Sequence, residues 1–146
     1  MPKVFLICPV ANASEDQKAE MMMYIEVIEG AGYDVHYPHR DTNQKDPIGY
    51  NIISENLDAI MWADEVHLFY SKGSRGSIMD FGFSFSQRKP IYVVNKEQIE
   101  VTSGKSYENI LLNLDKLYEP NIKYRKTHSS WKKLDAIRNK LNWATR

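Results

Sequence analysis

A glycine-rich loop and the helical pattern after it carry the residue types best suited to chemistry in this chain. Residues 71–86 read SKGSRGSIMDFGFSFS, in which Ser74, Arg75, Gly76 and Ser77 lead into a predicted helix. Backbone N–H groups at the start of a helix carry partial positive charge, which favours an anion such as a phosphate. The spacing matches neither the phosphate loop ending in Gly-Lys-Ser/Thr nor G-x-G-x-x-G. The loop therefore predicts an anion site, with an ordinary strand-to-helix loop as the alternative.

Asp80 is the acidic residue of this stretch, and its position allows two interpretations. Ser77-Ile78-Met79-Asp80 matches the capping-box pattern, in which the acid satisfies backbone donors at the start of a helix. A place in the first helical turn would also keep the carboxylate ionised. The same properties suit a carboxylate nucleophile beside an anion site. Sequence position alone leaves both interpretations open.

The other reactive residue types give weaker patterns. The four histidines have no metal-ligand spacing, and the sequence implies neither a metal nor a cofactor. The single cysteine, Cys8, excludes an intrachain disulfide and a cysteine-based zinc cluster. Because Cys8 ends a strand that is predicted to be buried, we interpret it as a small core residue at the edge of a crevice and not as a reactive thiol.

The elements that must position these residues alternate between strands and helices. Apolar and β-rich runs predict strands at residues 4–8, 33–38, 65–70 and 90–94. Helical spacing, with a cap at Asn12 or Ser14, predicts helices ending near residue 29 and over 54–63, 77–87, 107–118 and 131–141, and residues 39–49 form a predicted loop. This order predicts an α/β doubly wound (Rossmann/flavodoxin-like), mostly parallel sheet with helices on both faces. Ligands of such sheets bind at the carboxyl ends of the strands.

Composition and charge bound the class of protein. A chain of 146 residues with 42% hydrophobic and 26% charged residues suits one globular domain. No apolar run approaches the length of a membrane span, and the first residues lack a signal-peptide pattern, so we expect a cytoplasmic protein with no membrane partner.

The charge is unevenly distributed although the net charge is zero. Residues 119–146 carry a net charge of +6, and the preceding 118 residues carry −6. We therefore predict an α/β domain over residues 1–118 and a basic helical extension over residues 119–146. The extension is expected to pack on the acidic body or on a neighbouring subunit. A nucleic-acid-binding tail is the less favoured alternative, since basic runs are usually solvated faces.

Three stretches of the chain resemble one known family. Residues 3–9 (KVFLICP), Ala63-Asp64, and residues 76–85 (GSIMDFGFSF) with Lys89-Pro90 resemble the nucleoside 2-deoxyribosyltransferase family, which includes the 2′-deoxynucleoside 5′-monophosphate N-hydrolases. The run before Lys-Pro is the most specific part of a resemblance that spans about residues 3–110. The resemblance implies cleavage or transfer at an N-glycosidic bond through a carboxylate nucleophile, which forms a glycosyl-enzyme.

The resemblance assigns roles to two residues that both differ from the family's usual residue. Asp80 takes the place of the nucleophilic glutamate, and Asn56 takes the place of an acid that helps to protonate the leaving base. Asparagine can hydrogen-bond a base edge, but it has no acidic proton to donate, so Glu55 or Asp58 would have to replace that function. Cys8 is a third difference, because the family usually has glycine there.

The resemblance also indicates the substrate. Ser74 stands where the nucleoside-specific transferases carry an aspartate and the monophosphate hydrolases carry a serine that meets the 5′-phosphate. Together with Arg75, Gly76 and Ser77, this serine favours a nucleotide over a free nucleoside. A catalytically inert nucleotide-binding or sensing domain of the same fold is the alternative function.

The expected site extends beyond this loop and beyond one subunit. Cys8 and Pro9 are expected to contact the substrate from the carboxyl end of the first strand. The resemblance implies that a segment containing Ser106 and Asn109 reaches the site of a neighbouring subunit, which requires a homodimer or a higher oligomer.

Overall fold

The protein is built around a parallel β-sheet. The structure, a computed structural model, describes residues 1–114, 116 and 125–141. In these residues the sheet has four strands, β1 (Lys3–Ile7), β2 (Asp34–His36), β3 (Glu65–Leu68) and β4 (Ile91–Val93). They lie in the order β2-β1-β3-β4, and every pairing is parallel. The structure confirms the predicted α/β class and places all four strands inside the predicted ranges or within one residue of them.

Helices lie between these strands and after the last of them. Their bounds are α1 (Glu15–Gly30), α2 (Pro38–Asp41), α3 (Tyr50–Trp62), α4 (Arg75–Ser86), α5 (Tyr107–Leu112) and α6 (Arg125–Lys140), and a 3₁₀ turn covers Lys96–Gln98. Helix α1 packs against α6, whereas α3 packs against α4. The helices thus form two groups, as a doubly wound sheet requires.

Helix α1 illustrates how local sequence fixes an element. Ser14 caps it, because the Ser14 Oγ accepts from the Gln17 N–H at 3.1 Å and the Gln17 Oε1 accepts from the Ser14 N–H at 3.0 Å. This reciprocal pair selects Ser14 over Asn12, the other predicted cap. The buried apolar side chains recur at helical spacing, at Met21, Tyr24, Ile25 and Ile28.

Helix α6 contributes to the same core. Trp131 and Leu134 are buried in it, and the Tyr92 hydroxyl donates to the Asp135 carboxylate at 2.7 Å. Arg138 pairs with Glu97 at 3.1 Å. The helix predicted from the spacing of residues 131–141 is therefore present, although it begins earlier. The predicted extension's residues 119–124 and 142–146 lie outside the described residues.

Two element predictions between β2 and β3 needed correction. Residues 39–49 were predicted as a loop, but α2 occupies part of that range, with Pro38 at its first turn, where proline needs no N–H partner. Helix α3 begins at Tyr50 and not at residue 54. The reason is that Asp46 accepts from the N–H groups of Asn51 and Ile52 at 2.7 and 3.3 Å, which caps the additional turn.

Helix α5 is described over Tyr107–Leu112, a shorter span than the predicted 107–118, of which residues 115, 117 and 118 lie outside the described residues. In the part of the chain that the structure describes, no helix has the length and apolar character that crossing a membrane requires.

Candidate active site

The described part of the chain contains a cavity of about 730 Å³ at the carboxyl ends of the strands. The loops that follow β1, β2 and β3 line it, and Ile52 and Asn56 of α3 and Asp80 of α4 complete the lining. Strands β1 and β3 are neighbours, while the chain leaves β1 toward β2. This is the switch point at which ligands of such sheets bind.

Asp80 lies inside this cavity and does not cap its helix. Helix α4 begins at Arg75, so Asp80 sits in the second turn, and the cap is Ser74. The Ser77 N–H donates to the Ser74 Oγ at 3.4 Å, and the two hydroxyl oxygens lie 2.8 Å apart. The capping-box interpretation of Ser77 and Asp80 is therefore wrong, since Ser77 is the third residue of the helix and is itself buried.

The electrostatics of Asp80 follow from its burial. The residue is 7% exposed. Burial raises the pKa of Asp80 to about 7, and a hydrogen bond from Asn56 acts in the opposite direction. The expectation that a helix start would keep Asp80 ionised is therefore wrong, because desolvation dominates. Near neutral pH the group is present both as a carboxylate, which can attack an electrophile, and as a carboxylic acid.

Asn56 reaches the cavity as the terminal member of a hydrogen-bonded chain. Its Oδ1 accepts from the Thr42 hydroxyl at 2.9 Å, and the Thr42 oxygen lies 2.9 Å from the His36 Nε2. Sequence reasoning missed Thr42 and His36. No local signal could have found them, because they are 14 and 20 residues from Asn56 and meet it only in the folded chain.

The start of α4 forms the cationic side of the cavity. Ser74, Arg75 and Gly76 line it, whereas Ser77, which was expected with them, is buried and does not. Lys72 also lines it, a residue that the sequence did not indicate. Gly73 has φ of +80° in the turn closed by the Ser74 N–H and the Ser71 carbonyl, a conformation that suits glycine. The first turn of α4 and two basic side chains, Lys72 and Arg75, therefore lie at one end of the cavity, which suits an anion.

Cys8 and Pro9 line the cavity from the end of β1. Burial, and secondarily the charge of Asp80, raise the pKa of the Cys8 thiol well above its usual range. A thiol in this state stays protonated at neutral pH. This agrees with the interpretation of Cys8 as a packing residue, although its side chain also forms part of the cavity wall.

The acids proposed as replacements for Asn56 do not line the cavity. Glu55 accepts from the Asn43 N–H at 3.1 Å, and Asp58 is an exposed residue of α3. Asp46 does line the cavity, but backbone N–H groups lower its pKa, so it remains a carboxylate near neutral pH. Asp80 is thus the acid of this cavity whose pKa is raised.

Ser106 and Asn109 also lie away from the cavity of their own chain. Ser106 caps α5 by accepting from the Asn109 N–H at 2.9 Å. The Asn109 side chain donates to the carbonyls of Thr102 and Gly104 at 2.7 and 2.6 Å. In this chain the two residues therefore fix the conformation of an exposed loop. Their expected role in a neighbouring subunit's site stays a prediction.

Lys89 and Asp64, two residues of the motifs that resemble the family, stabilise the end of α3. The Lys89 ammonium donates to the Ala63 and Met61 carbonyls at 2.6 and 3.1 Å, at the end of α3. The Asp64 carboxylate accepts from the Lys3 N–H at 2.9 Å. Both contacts fix the end of the helix that carries Asn56 against the sheet. In the described residues no group of three His, Cys, Asp or Glu side chains is arranged to hold a metal ion.

Comparisons with known proteins extend these observations. No protein-family model matches the chain, and no curated protein matches it. Among solved structures, the chain is similar to the 2-deoxyribosyltransferase of the psychrotolerant bacterium Bacillus psychrosaccharolyticus. The TM-score is 0.52 and the identity is 20%, over 62% of this chain and 70% of that one. What the two proteins share at this level is the fold.

Proposed function

We propose that this protein cleaves or transfers at the N-glycosidic bond of a nucleoside or 2′-deoxynucleoside 5′-monophosphate, with Asp80 as the nucleophile. The observation that carries the proposal is the arrangement of the cavity. A buried carboxyl group lies in the same cavity as the start of α4 and two basic side chains, Lys72 and Arg75. A ligand with a phosphate at one end and a reactive carbon further along suits this arrangement.

The reaction follows from the chemistry of Asp80. The Asp80 carboxylate attacks C1′ of the sugar, the bond from C1′ to the base nitrogen breaks, and the base leaves with the electron pair. Water or a second base then displaces the carboxylate from C1′, which gives hydrolysis or transfer and regenerates the enzyme. Only the ionised form can attack, so the proposed activity increases with pH through about 7, the pKa of Asp80.

The cationic end of the cavity favours a monophosphate. Ser74 caps α4 with its hydroxyl, and Lys72 and Arg75 are exposed at the start of the same helix. A free nucleoside offers no anion to these donors. We therefore expect a monophosphate to bind more tightly than the corresponding nucleoside, with a strong dependence on salt concentration.

The leaving base has no strong acid to protonate it at the expected position, since Asn56 is an amide. A positioned acid typically contributes about 10²–10⁴ in rate. The proposed reaction should therefore be slow and should favour bases that leave readily. A series of 5′-monophosphates whose bases differ in leaving-group pKa would show a steep dependence of rate on that pKa.

The experiment that tests the function is a base-release assay. The protein is incubated with a panel of ribo- and 2′-deoxynucleoside 5′-monophosphates, with and without an acceptor base, and free base is measured. Release that disappears in Asp80→Ala and persists in Asp58→Ala, an exposed acid of α3, supports the proposal. No release from any monophosphate would reject it.

The alternative is a nucleotide-binding domain without turnover, and the Asn56 amide at the expected acid position favours it. Such a domain would be stabilised by a monophosphate, because a ligand selective for the folded state raises the apparent unfolding temperature. Stabilisation without base release would identify this function.

The expected homo-oligomer is part of the same proposal. Residues 101–105 form an exposed loop whose conformation Asn109 fixes. If this loop completes a neighbouring site, Asn109→Ala should reduce base release, and mixing it with Asp80→Ala should restore part of the activity. Sedimentation of the unmodified protein as a monomer would exclude a shared site.

A further inference from the structure

A chain of hydrogen bonds links His36 of β2, Thr42 and Asn56, and we propose that it positions the neighbouring Asp80 carboxyl group. In this proposal His36 and Thr42 hold the Asn56 side chain so that its Nδ2–H group, and not its Oδ1, faces Asp80. The two residues would be positioning residues, because they act on Asp80 only through Asn56. Their catalytic role rests on the proposed function, whereas the orientation of the amide can be tested without any substrate.

The geometry supplies the first step. The His36 Nε2 lies 2.9 Å from the Thr42 Oγ1, and the Thr42 hydroxyl donates to the Asn56 Oδ1 at 2.9 Å. Asn56 and Asp80 line the same cavity, and hydrogen bonding from Asn56 lowers the pKa of Asp80. Thr42 is 4% exposed, and Asn56 and Asp80 are each 7% exposed. Water therefore has little access to the bond between Thr42 and Asn56, whereas His36 at the other end of the chain is half-buried.

The direction of the bonds follows from counting hydrogens. A hydroxyl group has one hydrogen, and Thr42 uses it for the Asn56 Oδ1. The Thr42 oxygen must then accept from His36, which requires a hydrogen on the His36 Nε2. Because the Asn56 oxygen is occupied, the amide offers its N–H group to Asp80. An N–H donor stabilises the carboxylate form over the carboxylic acid.

A second direction becomes available when Asp80 is protonated and the Asn56 amide is turned over. In it the Asp80 carboxylic acid donates to the Asn56 oxygen, the amide donates to Thr42, and Thr42 donates to an unprotonated His36 Nε2. The two directions differ by the Asp80 proton and by the ring nitrogen of His36 that carries hydrogen. The chain therefore couples the protonation of Asp80 to the tautomer of His36.

The surroundings of His36 keep its ring in place. The ring stacks on Phe5 at 5.6 Å between centroids. Burial lowers the pKa of His36, opposed by the carboxylates of Asp41 and Glu55, while Arg40 also lowers it. The ring is thus neutral near pH 7 and carries a single hydrogen, whose position the chain selects.

Asp46, Lys72 and Arg75 line the same cavity as Asp80. Two further titratable groups, Cys8 at the end of β1 and Tyr107 of α5, are affected by the charge of Asp80. The pKa values of both are raised by burial, so neither ionises together with Asp80 in the neutral range. Titration of Asp80 near neutral pH therefore reports on the Asn56 amide without interference from these two groups.

The experiment removes the Thr42 hydroxyl group and keeps a side chain of similar size. Thr42→Val leaves Asn56 free to turn its oxygen toward Asp80, whereas Thr42→Ser keeps a hydroxyl donor. The titration of the Asp80 carboxyl carbon is followed by ¹³C NMR in each protein without substrate. We expect the midpoint to increase by about one pH unit in Thr42→Val, which is a tenfold change in the ionised fraction, and to stay near the wild-type value in Thr42→Ser. An unchanged midpoint in Thr42→Val would overturn the proposal.

A second measurement needs no variant and so survives a folding failure of Thr42→Val. The ¹⁵N chemical shifts of the His36 ring report which nitrogen carries hydrogen. Above the Asp80 midpoint we expect the hydrogen on Nε2, and hydrogen on Nδ1 there would contradict the chain. Because both readouts are made without substrate, absence of base release would reject the proposed function and leave this inference intact.

Discussion

Asn56 and Asp80 are both buried side chains of one cavity, and hydrogen bonding from the Asn56 amide lowers the pKa of Asp80, where the family resemblance expected a second acid. This contact favours the ionised form of Asp80, but burial outweighs it and brings the pKa to about 7. The site thus contains one acid whose charge is costly to the folded protein. Reactive groups are often maintained at such a cost in stability.

Replacement of Asp80 should separate stability from function. A carboxyl group with a pKa of 3.8 in the unfolded chain and about 7 in the folded chain binds more protons when folded, so stability decreases as pH rises through this interval. Asp80→Asn removes that loss. We expect the stability difference between Asp80→Asn and the wild-type protein to change by up to about 4 kcal/mol, in favour of the variant, between pH 4 and pH 8. The variant should also lose base release.

Urea denaturation at several pH values measures this difference. Asp58→Asn makes the same chemical change at an exposed position of α3 and should leave the pH dependence of stability unchanged. If Asp80→Asn and the wild-type protein lost stability in parallel between pH 4 and pH 8, the raised pKa of Asp80 would be incorrect.

Restoring an acid beside Asp80 should change the rate. In Asn56→Asp two carboxyl groups share the cavity, and mutual repulsion raises the apparent pKa of the pair. The protonated partner can then donate to the leaving base while Asp80 attacks. We expect base release to increase by about 10²-fold for poor leaving groups and less for good ones. Equal rates in both proteins across the leaving-group series would show that another group protonates the base.

The Ser74 hydroxyl should matter for phosphate and for folding. Ser74→Ala removes the cap of α4, which costs about 1 kcal/mol of stability. It also loosens the helix start that faces the cavity, so KM for a monophosphate should increase more than KM for the nucleoside. Ser86→Ala, at the other end of α4, is the matched control, because the exposed Ser86 hydroxyl bonds only to the Phe83 carbonyl among the contacts described. An equal increase in KM for the monophosphate and for the nucleoside would show that Ser74 does not contribute to phosphate binding.

Lys89 should contribute to stability and not to chemistry. Its ammonium bonds to the last carbonyls of α3, so Lys89→Met leaves the Ala63 and Met61 oxygens without this donor. We expect a loss of about 1–3 kcal/mol in the free energy of unfolding with an unchanged midpoint for the titration of Asp80. Lys18→Met, which removes an exposed ion pair with Glu15, should cost less than about 1 kcal/mol. Equal losses in the two variants would mean that Lys89 is an ordinary surface lysine.

Local patterns in the sequence predicted much of the scaffold. The apolar run of β1, the capping box at Ser14 and the alternation of strands and helices specify the α/β sheet, because each depends on neighbours within a few residues. The same reasoning placed Ser74, Arg75, Gly76 and Asp80 at one end of the sheet, and these four residues line one cavity. The start of α4 was predicted at Ser77 and lies at Arg75, after the cap Ser74. Serine is an equally good cap at positions 74 and 77, and helix propensities differ too little between the two starts to outweigh tertiary packing.

The chemistry of the cavity was decided by the tertiary structure. The sequence determined that a carboxylate follows a glycine-rich, cationic loop, but its pKa depends on how much water the folded chain removes, which no local pattern encodes. The orientation of Asn56 likewise depends on Thr42 and His36, which come from separate elements and meet only after the loops around α2 have packed on the sheet. Residue type and order therefore specify which groups are present, whereas desolvation and long-range hydrogen bonds determine what those groups can do.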